Sequence, residues 1–86
     1  MNEKTQLFGY HLKDITKGEL GEFSKIKEEF EELEDAEAQK DPIMILCECS
    51  DLICAISHYI SKWNMTIFDL QNFNHKTERA FKAGKR

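Results

Sequence analysis

The sequence has little of what breaks or crosslinks a chain. Its 86 residues include one proline, four glycines and three cysteines. So little proline and glycine excludes a low-complexity or loop-dominated chain. An odd number of cysteines without a C-x-x-C pair does not indicate a disulfide framework or a zinc ribbon. We therefore expect a folded domain in which Cys47, Cys49 and Cys54 are reduced core residues.

Long apolar runs and an excess of cations are also missing. The longest uninterrupted apolar runs, such as 43–47, are far shorter than the roughly 20 residues of a membrane span. The first residues show no secretory signal pattern. The net charge of −4 argues against nucleic acid polymers as partners, because their phosphates are bound by rows of Lys and Arg. We expect a cytosolic (cytoplasmic) protein with no membrane partner.

The chain length predicts one domain that depends on self-association. A chain of this size buries only about 60% of its unfolded surface, which leaves a marginal core. We expect an N-terminal arm over 1–18, an all-α domain over 19–83 and a basic tail over 84–86. The arm should contain a short helix around 11–15. Phe8 and Tyr10, which precede this helix in the arm, are candidates for stacking on a base. A homodimer or homotetramer would complete the core.

Apolar periodicity predicts three main helices. The first runs from 19 to about 40, because apolar residues recur at steps of three and four. Asp41 is the expected N-cap of the second helix and Pro42 its first residue. The apolar stripe of the first helix consists of Leu20, Phe23, Ile26, Phe30 and Leu33.

The second and third predicted helices differ in polarity. The second, from about Pro42 to Lys62, is apolar on nearly every side, so we expect another copy of the chain to cover it. The third runs from about 66 to 83, with Thr66 as its cap and Gly84 at its end. The side chains expected to face inward from it are Ile67, Leu70, Phe73 and Phe81. The resulting fold is a helical bundle, such as a four-helix bundle, completed by oligomerisation.

Two pairs of carboxylates stand out. Glu48 and Asp51 lie within the most apolar stretch, where an ionised carboxylate needs a cation, hydrogen bonds or a proton. Glu29 and Glu32 have the same spacing on the first helix, where a solvated face is the simpler interpretation, while Glu28 should point away from the apolar stripe. An antiparallel turn would bring the pairs together, and their oxygens suit Mg²⁺ or Mn²⁺.

The motifs resemble those of a known family. The pattern E-E-x-x-E, then fifteen residues, then E-x-x-D is similar to that of the all-α nucleoside triphosphate pyrophosphatases. These are the MazG-like proteins and their relatives, the dimeric dUTPases and the phosphoribosyl-ATP pyrophosphohydrolases. The segment 74–81 also resembles the N-x-K-x-x-R-x-F segment on the last helix of MazG-like domains.

The resemblance implies a metal-dependent hydrolase. It implies that water attacks the α-phosphorus of a nucleoside triphosphate, which yields a monophosphate and pyrophosphate. Asn74, Lys76 and Arg79 would bind the substrate. His11, His58 and His75 are assigned no catalytic role. The carboxylates implied to hold Mg²⁺, with Mn²⁺ as the alternative, are Glu29, Glu32, Glu48 and Asp51, and Glu28 joins them as a candidate catalytic residue.

Two other functions fit the same sequence. A catalytically silent helical oligomerisation module would use the acids only for solubility. A phosphoribosyl-ATP pyrophosphohydrolase would share the chemistry and differ in its substrate. The basic residues near the end of the third helix could equally stabilise that helix through a favourable interaction with its dipole. The sequence alone leaves these alternatives open.

Overall fold

The described part of the chain is all-helical. A computed structural model describes residues 11–86, and it contains α1 (Phe23–Gln39), α2 (Pro42–Ile60) and α3 (Ile67–Lys82). A single 3₁₀ turn, Ser61–Trp63, connects α2 to α3. Residues 11–86 contain no β-strand, so the all-α prediction is confirmed. Phe8 and Tyr10, the candidates for stacking on a base, lie outside the described residues.

α1 and α2 form a tight antiparallel hairpin. α1 ends at Lys40, which adopts a left-handed conformation with φ of 56°. Asp41 then caps α2, accepting hydrogen bonds from the backbone N–H groups of Ile43 at 3.1 Å and Met44 at 3.2 Å. Pro42 follows at the first helical position, where its missing N–H costs nothing. This turn agrees with the sequence prediction and packs the two helices along each other.

α1 begins later than periodicity predicted. Residues 19–22 form a turn instead of the first turn of the helix, with the Glu22 N–H donating to Glu19 O at 2.9 Å. Gly21 has a φ of +91°, a backbone conformation that cannot continue a right-handed helix. Leu20 therefore lies in this turn and not in α1.

The segment 11–18 docks on α1 without forming a helix. The Leu12 N–H donates to Asp35 Oδ2 at 3.0 Å, and the Gly18 N–H donates to Glu28 Oε1 at 2.9 Å. The prediction of a short helix around 11–15 is therefore wrong. Backbone N–H groups of the segment 11–18 donate to carboxylates of α1 and not to carbonyl groups of a helix. A side chain at Gly18 would collide with the backbone of Ser24, so this close approach requires glycine.

α3 is well capped but lies apart from the hairpin. Thr66 Oγ1 accepts a hydrogen bond from the Phe68 N–H at 3.2 Å, and the Asp69 carboxylate accepts one from the Thr66 N–H at 2.7 Å. This capping box confirms the predicted start, and Gly84, with φ of +73°, follows the end. Of the side chains expected to face inward, Ile67 is half-buried and Leu70 is 36% exposed, whereas Phe73 and Phe81 are 63% and 61% exposed. The expectation is wrong for Phe73 and Phe81 within a single chain.

Polar residues fill most of the interior of the hairpin. Only three hydrophobic residues are buried in the described part of the chain, namely Ala36, Met44 and Ala55. Phe23 and Phe30 of the predicted apolar stripe are 62% and 50% exposed. These two positions of the stripe are therefore left largely uncovered within a single chain. The side chains that are buried instead are Glu28, Glu29, Glu32, Asp35 and Glu48.

The length and apolar composition of α2 bear on the membrane question. Together with the 3₁₀ turn it spans Pro42–Trp63, which is long and apolar enough to cross a membrane by length and composition alone. Only 17% of its most apolar window is buried within the chain. The shortness of the uninterrupted apolar run therefore does not exclude a span. The expectation of a cytosolic protein stays a prediction.

Candidate metal centre

Four carboxylates converge between α1 and α2. Glu29 and Glu32 project from one face of α1, and Glu48 and Asp51 project from the facing side of α2, because residues three apart are neighbours on a helix. Each side chain offers an oxygen, and these four oxygens all lie within 4.8 Å of one another. The hairpin thus brings together the four residues that the sequence singled out as metal ligands.

Three of these carboxylates are buried, and two have an unsatisfied oxygen. Glu29 is 4% exposed and Glu48 is 5% exposed, whereas Asp51 is exposed. The Oε1 atoms of Glu29 and Glu48 have no hydrogen-bond partner among the described residues. Burial, with the charges of Glu32 and Glu28, raises the pKa of Glu29 despite the opposing effect of Lys25. The centre is therefore short of positive charge.

These residues fit a divalent cation. A buried carboxylate oxygen without a partner carries a desolvation cost that a cation would remove. Several carboxylate oxygens near one point are the ligands that Mg²⁺ and Mn²⁺ take, and the exposed Asp51 side leaves room for water. Ion pairs with lysine alone do not satisfy the two orphan oxygens.

Glu28 has a different role from the four ligands. It points away from the apolar stripe as predicted, but it is only 2% exposed, so it is not a surface residue. Its Oε1 accepts hydrogen bonds from Gly18 N at 2.9 Å and Lys25 Nζ at 3.0 Å. Burial opposes ionisation, but these bonds and one with Glu32 lower the pKa of Glu28 to about 2. Glu28 holds the N-terminal segment against α1 as a carboxylate.

Lys25 stands at the solvent side of the centre. Its Nζ lies 3.0 Å from Glu28 Oε1 and 3.1 Å from Glu29 Oε2, and the hydrogen bond to Glu28 is the main cause of its raised pKa. A pocket of about 250 Å³ opens here, and its lining residues are Leu20, Lys25, Glu29, Asp51, Cys54 and Ala55. Lys25 was not predicted from the sequence, although its spacing of three and four from two acids was a usable signal.

His11 and Asp35 were not predicted as site residues from the sequence either. The imidazole of His11 lies among three buried carboxylates, those of Glu32, Asp35 and Glu48. Asp35 repeats the spacing of three that separates Glu29 from Glu32, so its sequence position carried a signal. His11 carried none, because no residue pattern links it to a helix that begins twelve positions later.

The basic residues of α3 are not at this centre within the chain. Asn74 lines a separate groove of about 780 Å³ between α2 and α3. Lys76 Nζ lies 5.8 Å from the centre of the Phe73 ring, and Arg79 is exposed. No described contact joins these three predicted substrate-binding residues to the acidic centre. Their assignment stays a prediction.

The three cysteines are free thiols, but they are not all core residues. Cys47 and Cys49 are half-buried, whereas Cys54 is exposed and lines the pocket beside Asp51. The expectation of a core position is therefore wrong for Cys54. None of the three belongs to a group of potential metal ligands in residues 11–86.

Comparisons with protein-family models, with curated proteins and with solved structures give no match. The case for a function therefore depends on the geometry of the acidic centre and on the motif resemblance.

Proposed function

We propose that this chain is a Mg²⁺-dependent nucleoside triphosphate pyrophosphohydrolase of the MazG-like kind. It would cleave a ribo- or deoxyribonucleoside triphosphate to the monophosphate and pyrophosphate. The observation that carries the proposal is the convergence of four carboxylate oxygens within 4.8 Å. The motif order along the chain supports it.

The unsatisfied oxygens separate this proposal from a silent helical module. A module that uses acids only for solubility would place them in water, where hydration removes their cost. Here Glu29 and Glu48 are buried, and each leaves one oxygen without a partner among the described residues. Functional sites commonly retain such costly arrangements because a ligand compensates for them.

The residues of the chain would supply binding and orientation. A bound Mg²⁺ would neutralise phosphate charge and make water more acidic. Glu29, Glu32, Glu48 and Asp51 would hold the ion. Lys25, which pairs with Glu29 at 3.1 Å, would then be released to contact a phosphate oxygen in the adjoining pocket. No serine or cysteine nucleophile is needed for attack by water.

A second copy of the chain would complete the substrate site. The outer faces of α2 and α3 expose large apolar side chains, among them Leu46, Ile53, Phe68 and Phe73. A lipid partner for α2 is disfavoured, because the acid-rich α1 packs along it and would have to enter the bilayer. We therefore favour a homodimer or homotetramer, in which Asn74, Lys76 and Arg79 would reach the acidic centre of a neighbouring chain.

The test is a product assay with a nucleotide panel. The chain is incubated with ribo- and deoxyribonucleoside triphosphates and Mg²⁺, and pyrophosphate and monophosphate are quantified. We expect equal amounts of the two products and no reaction with EDTA. Phosphoribosyl-ATP is included because it would yield the same pyrophosphate from a different substrate.

Matched variants locate the activity. Glu48→Gln should lower kcat/KM by about 10³-fold, because it removes a buried charge from the metal site. Glu78→Gln is the control, since Glu78 is a surface acid of α3 paired with Lys82. Folded protein that cleaves none of the substrates would favour the silent module, and unchanged turnover in Glu48→Gln would refute the metal assignment.

A further inference from the structure

His11 occupies a defined position beside the acidic centre. Its Nε2 lies 3.3 Å from Glu32 Oε1 and 3.2 Å from Glu48 Oε2. Both of these residues also belong to the cluster of four carboxylates. His11 Nε2 and one oxygen from each of the two acids lie within 4.8 Å of one another. The imidazole therefore extends the centre at Glu32 and Glu48, the two residues that both groups share.

A buried carboxylate orients the ring. His11 Nδ1 lies 2.9 Å from Asp35 Oδ2, and a carboxylate oxygen only accepts, so Nδ1 carries the proton. The same oxygen, Asp35 Oδ2, also accepts hydrogen bonds from the Leu12 N–H at 3.0 Å and from Gln39 Nε2 at 3.0 Å. These hydrogen bonds hold the Asp35 carboxylate in place, so that it fixes the direction of the His11 ring.

The other ring nitrogen lacks a hydrogen-bond partner. Despite its distances to Glu32 and Glu48, Nε2 is buried and makes no hydrogen bond of acceptable geometry within the described residues. The same holds for Glu48 Oε1. A ring nitrogen and a carboxylate oxygen, both buried and without a hydrogen-bond partner among the described residues, thus belong to one small cluster. Carboxylate–histidine pairs of this kind are typical outer supports of metal centres.

We propose that His11 is a nitrogen ligand of the metal centre, oriented by Asp35, and that the centre therefore takes a divalent transition-metal ion such as Mn²⁺ in preference to Mg²⁺. This inference deepens the proposed function, on whose metal site it depends. Imidazole nitrogen binds first-row transition metals and contributes little to Mg²⁺, which prefers oxygen and retains its water. Asp35 acts as a positioning residue.

The direct test uses pulsed electron paramagnetic resonance on protein loaded with Mn²⁺ alone, without a histidine tag. We expect modulation from a directly bound ¹⁴N, which should change to the ¹⁵N pattern when histidine is ¹⁵N-labelled. Because the labelling experiment uses the unmodified sequence, it does not depend on whether a variant folds. The modulation should disappear in His11→Gln and persist in His58→Gln, whose side chain is exposed on α2.

Titration calorimetry provides the second measurement. His11→Gln should weaken Mn²⁺ binding by about 10- to 100-fold, while Mg²⁺ binding changes by less than about threefold. Asp35→Asn should weaken Mn²⁺ binding by about 10-fold and retain the nitrogen modulation, since a positioning residue is not itself a ligand.

Failure of this inference can be distinguished from failure of the proposed function. Bound Mn²⁺ without nitrogen modulation, together with pyrophosphate release, would overturn the role of His11 and leave the hydrolase intact. Tighter binding of both ions by His11→Gln would show that the imidazole occupies the position of the ion, which also overturns it. An unmodified chain that binds neither ion would overturn both proposals.

Discussion

The interior of the α1–α2 hairpin and the outer faces of the helices differ in polarity. Five acidic residues are buried against the hairpin. Aromatic and branched side chains cover the outside, and Phe68 is 70% exposed. Most monomeric proteins show the opposite arrangement, with apolar residues inside and acids in water. Within residues 11–86, the buried acids are thus only partly neutralised by cations, and the exposed apolar side chains lack apolar cover.

The difference indicates that the metal chemistry and the stability of the fold depend on two different additions: a cation for the acidic interior and an apolar surface for the outer faces. The interior needs positive charge, which Lys25 supplies only in part because two buried oxygens remain unpartnered. The exterior needs contact with another apolar surface, which a second copy would supply. A change that alters one region should therefore leave the other largely intact, and each prediction below tests one side of this comparison.

The largest effect on the apolar side should come from Phe73→Glu. Phe73 is 63% exposed on α3, and a charge there would have to be buried when a second copy covers this face. We expect self-association to weaken by at least about 100-fold, which corresponds to about 3 kcal/mol. Sedimentation velocity over a range of concentrations measures this.

The matched control is Asn72→Glu, which places the same charge one residue away on the same exposed helix. It should leave the sedimentation coefficient nearly unchanged, since successive residues of a helix point about 100° apart. A monomeric unmodified chain, or equal weakening by both variants, would contradict the proposed contact. Mn²⁺ binding should persist in Phe73→Glu.

On the acidic side, Glu28→Gln should destabilise the fold by about 2 kcal/mol at neutral pH. The pKa of Glu28 is lowered to about 2 from a usual 4.5, so its contribution is complete above pH 4.5 and is lost as pH falls toward 2. The stability gap between the unmodified chain and Glu28→Gln should therefore narrow over this range. Urea unfolding at a series of pH values measures the gap.

A stability gap that stays constant down to pH 2 would show that the carboxylate charge of Glu28 contributes nothing. The N-terminal segment would then be held by geometry without electrostatic help.

The smallest predicted effect has the opposite sign. Burial and neighbouring acids raise the pKa of Glu29, so its ionised form costs stability at neutral pH when no cation is bound. Glu29→Gln should stabilise the metal-free protein by about 1 kcal/mol and reduce the stabilisation produced by Mn²⁺. Thermal unfolding with EDTA and with Mn²⁺ measures both changes. Destabilisation of the metal-free protein would show that the ion pair with Lys25 outweighs the burial of Glu29.

Much of the local structure could be predicted from the sequence. The Asp41–Pro42 turn, the Thr66 cap and the positions of three helices follow from residue types at helix ends, where interactions span only a few residues. The pairing of the two E-x-x-E and E-x-x-D motifs followed from the same short-range rules, because a tight turn between two helices forces them to be antiparallel. Each of these predictions required only neighbouring positions.

The burial pattern could not be predicted in the same way. Periodicity shows that α1 has an apolar face and an acidic face, but it does not show which face packs against α2. The apolar face, including Phe23 and Phe30, is exposed in the single chain, and the acidic face is covered. Amphipathicity therefore identified the two faces of α1, but it could not show that the acidic face is the one buried in the single chain.

The sequence by itself determined the helices, their caps and the i, i+3 carboxylate pairs, because these depend on backbone geometry within a few residues. Only the tertiary structure decided that Glu28 would anchor the segment 11–18 and that His11 would enter the acidic centre. Contacts between residues more than twenty positions apart, such as His11 with Asp35, depend on how whole segments pack. The free energy of these contacts depends on many groups in both segments, so the residues next to each other in the sequence do not predict them.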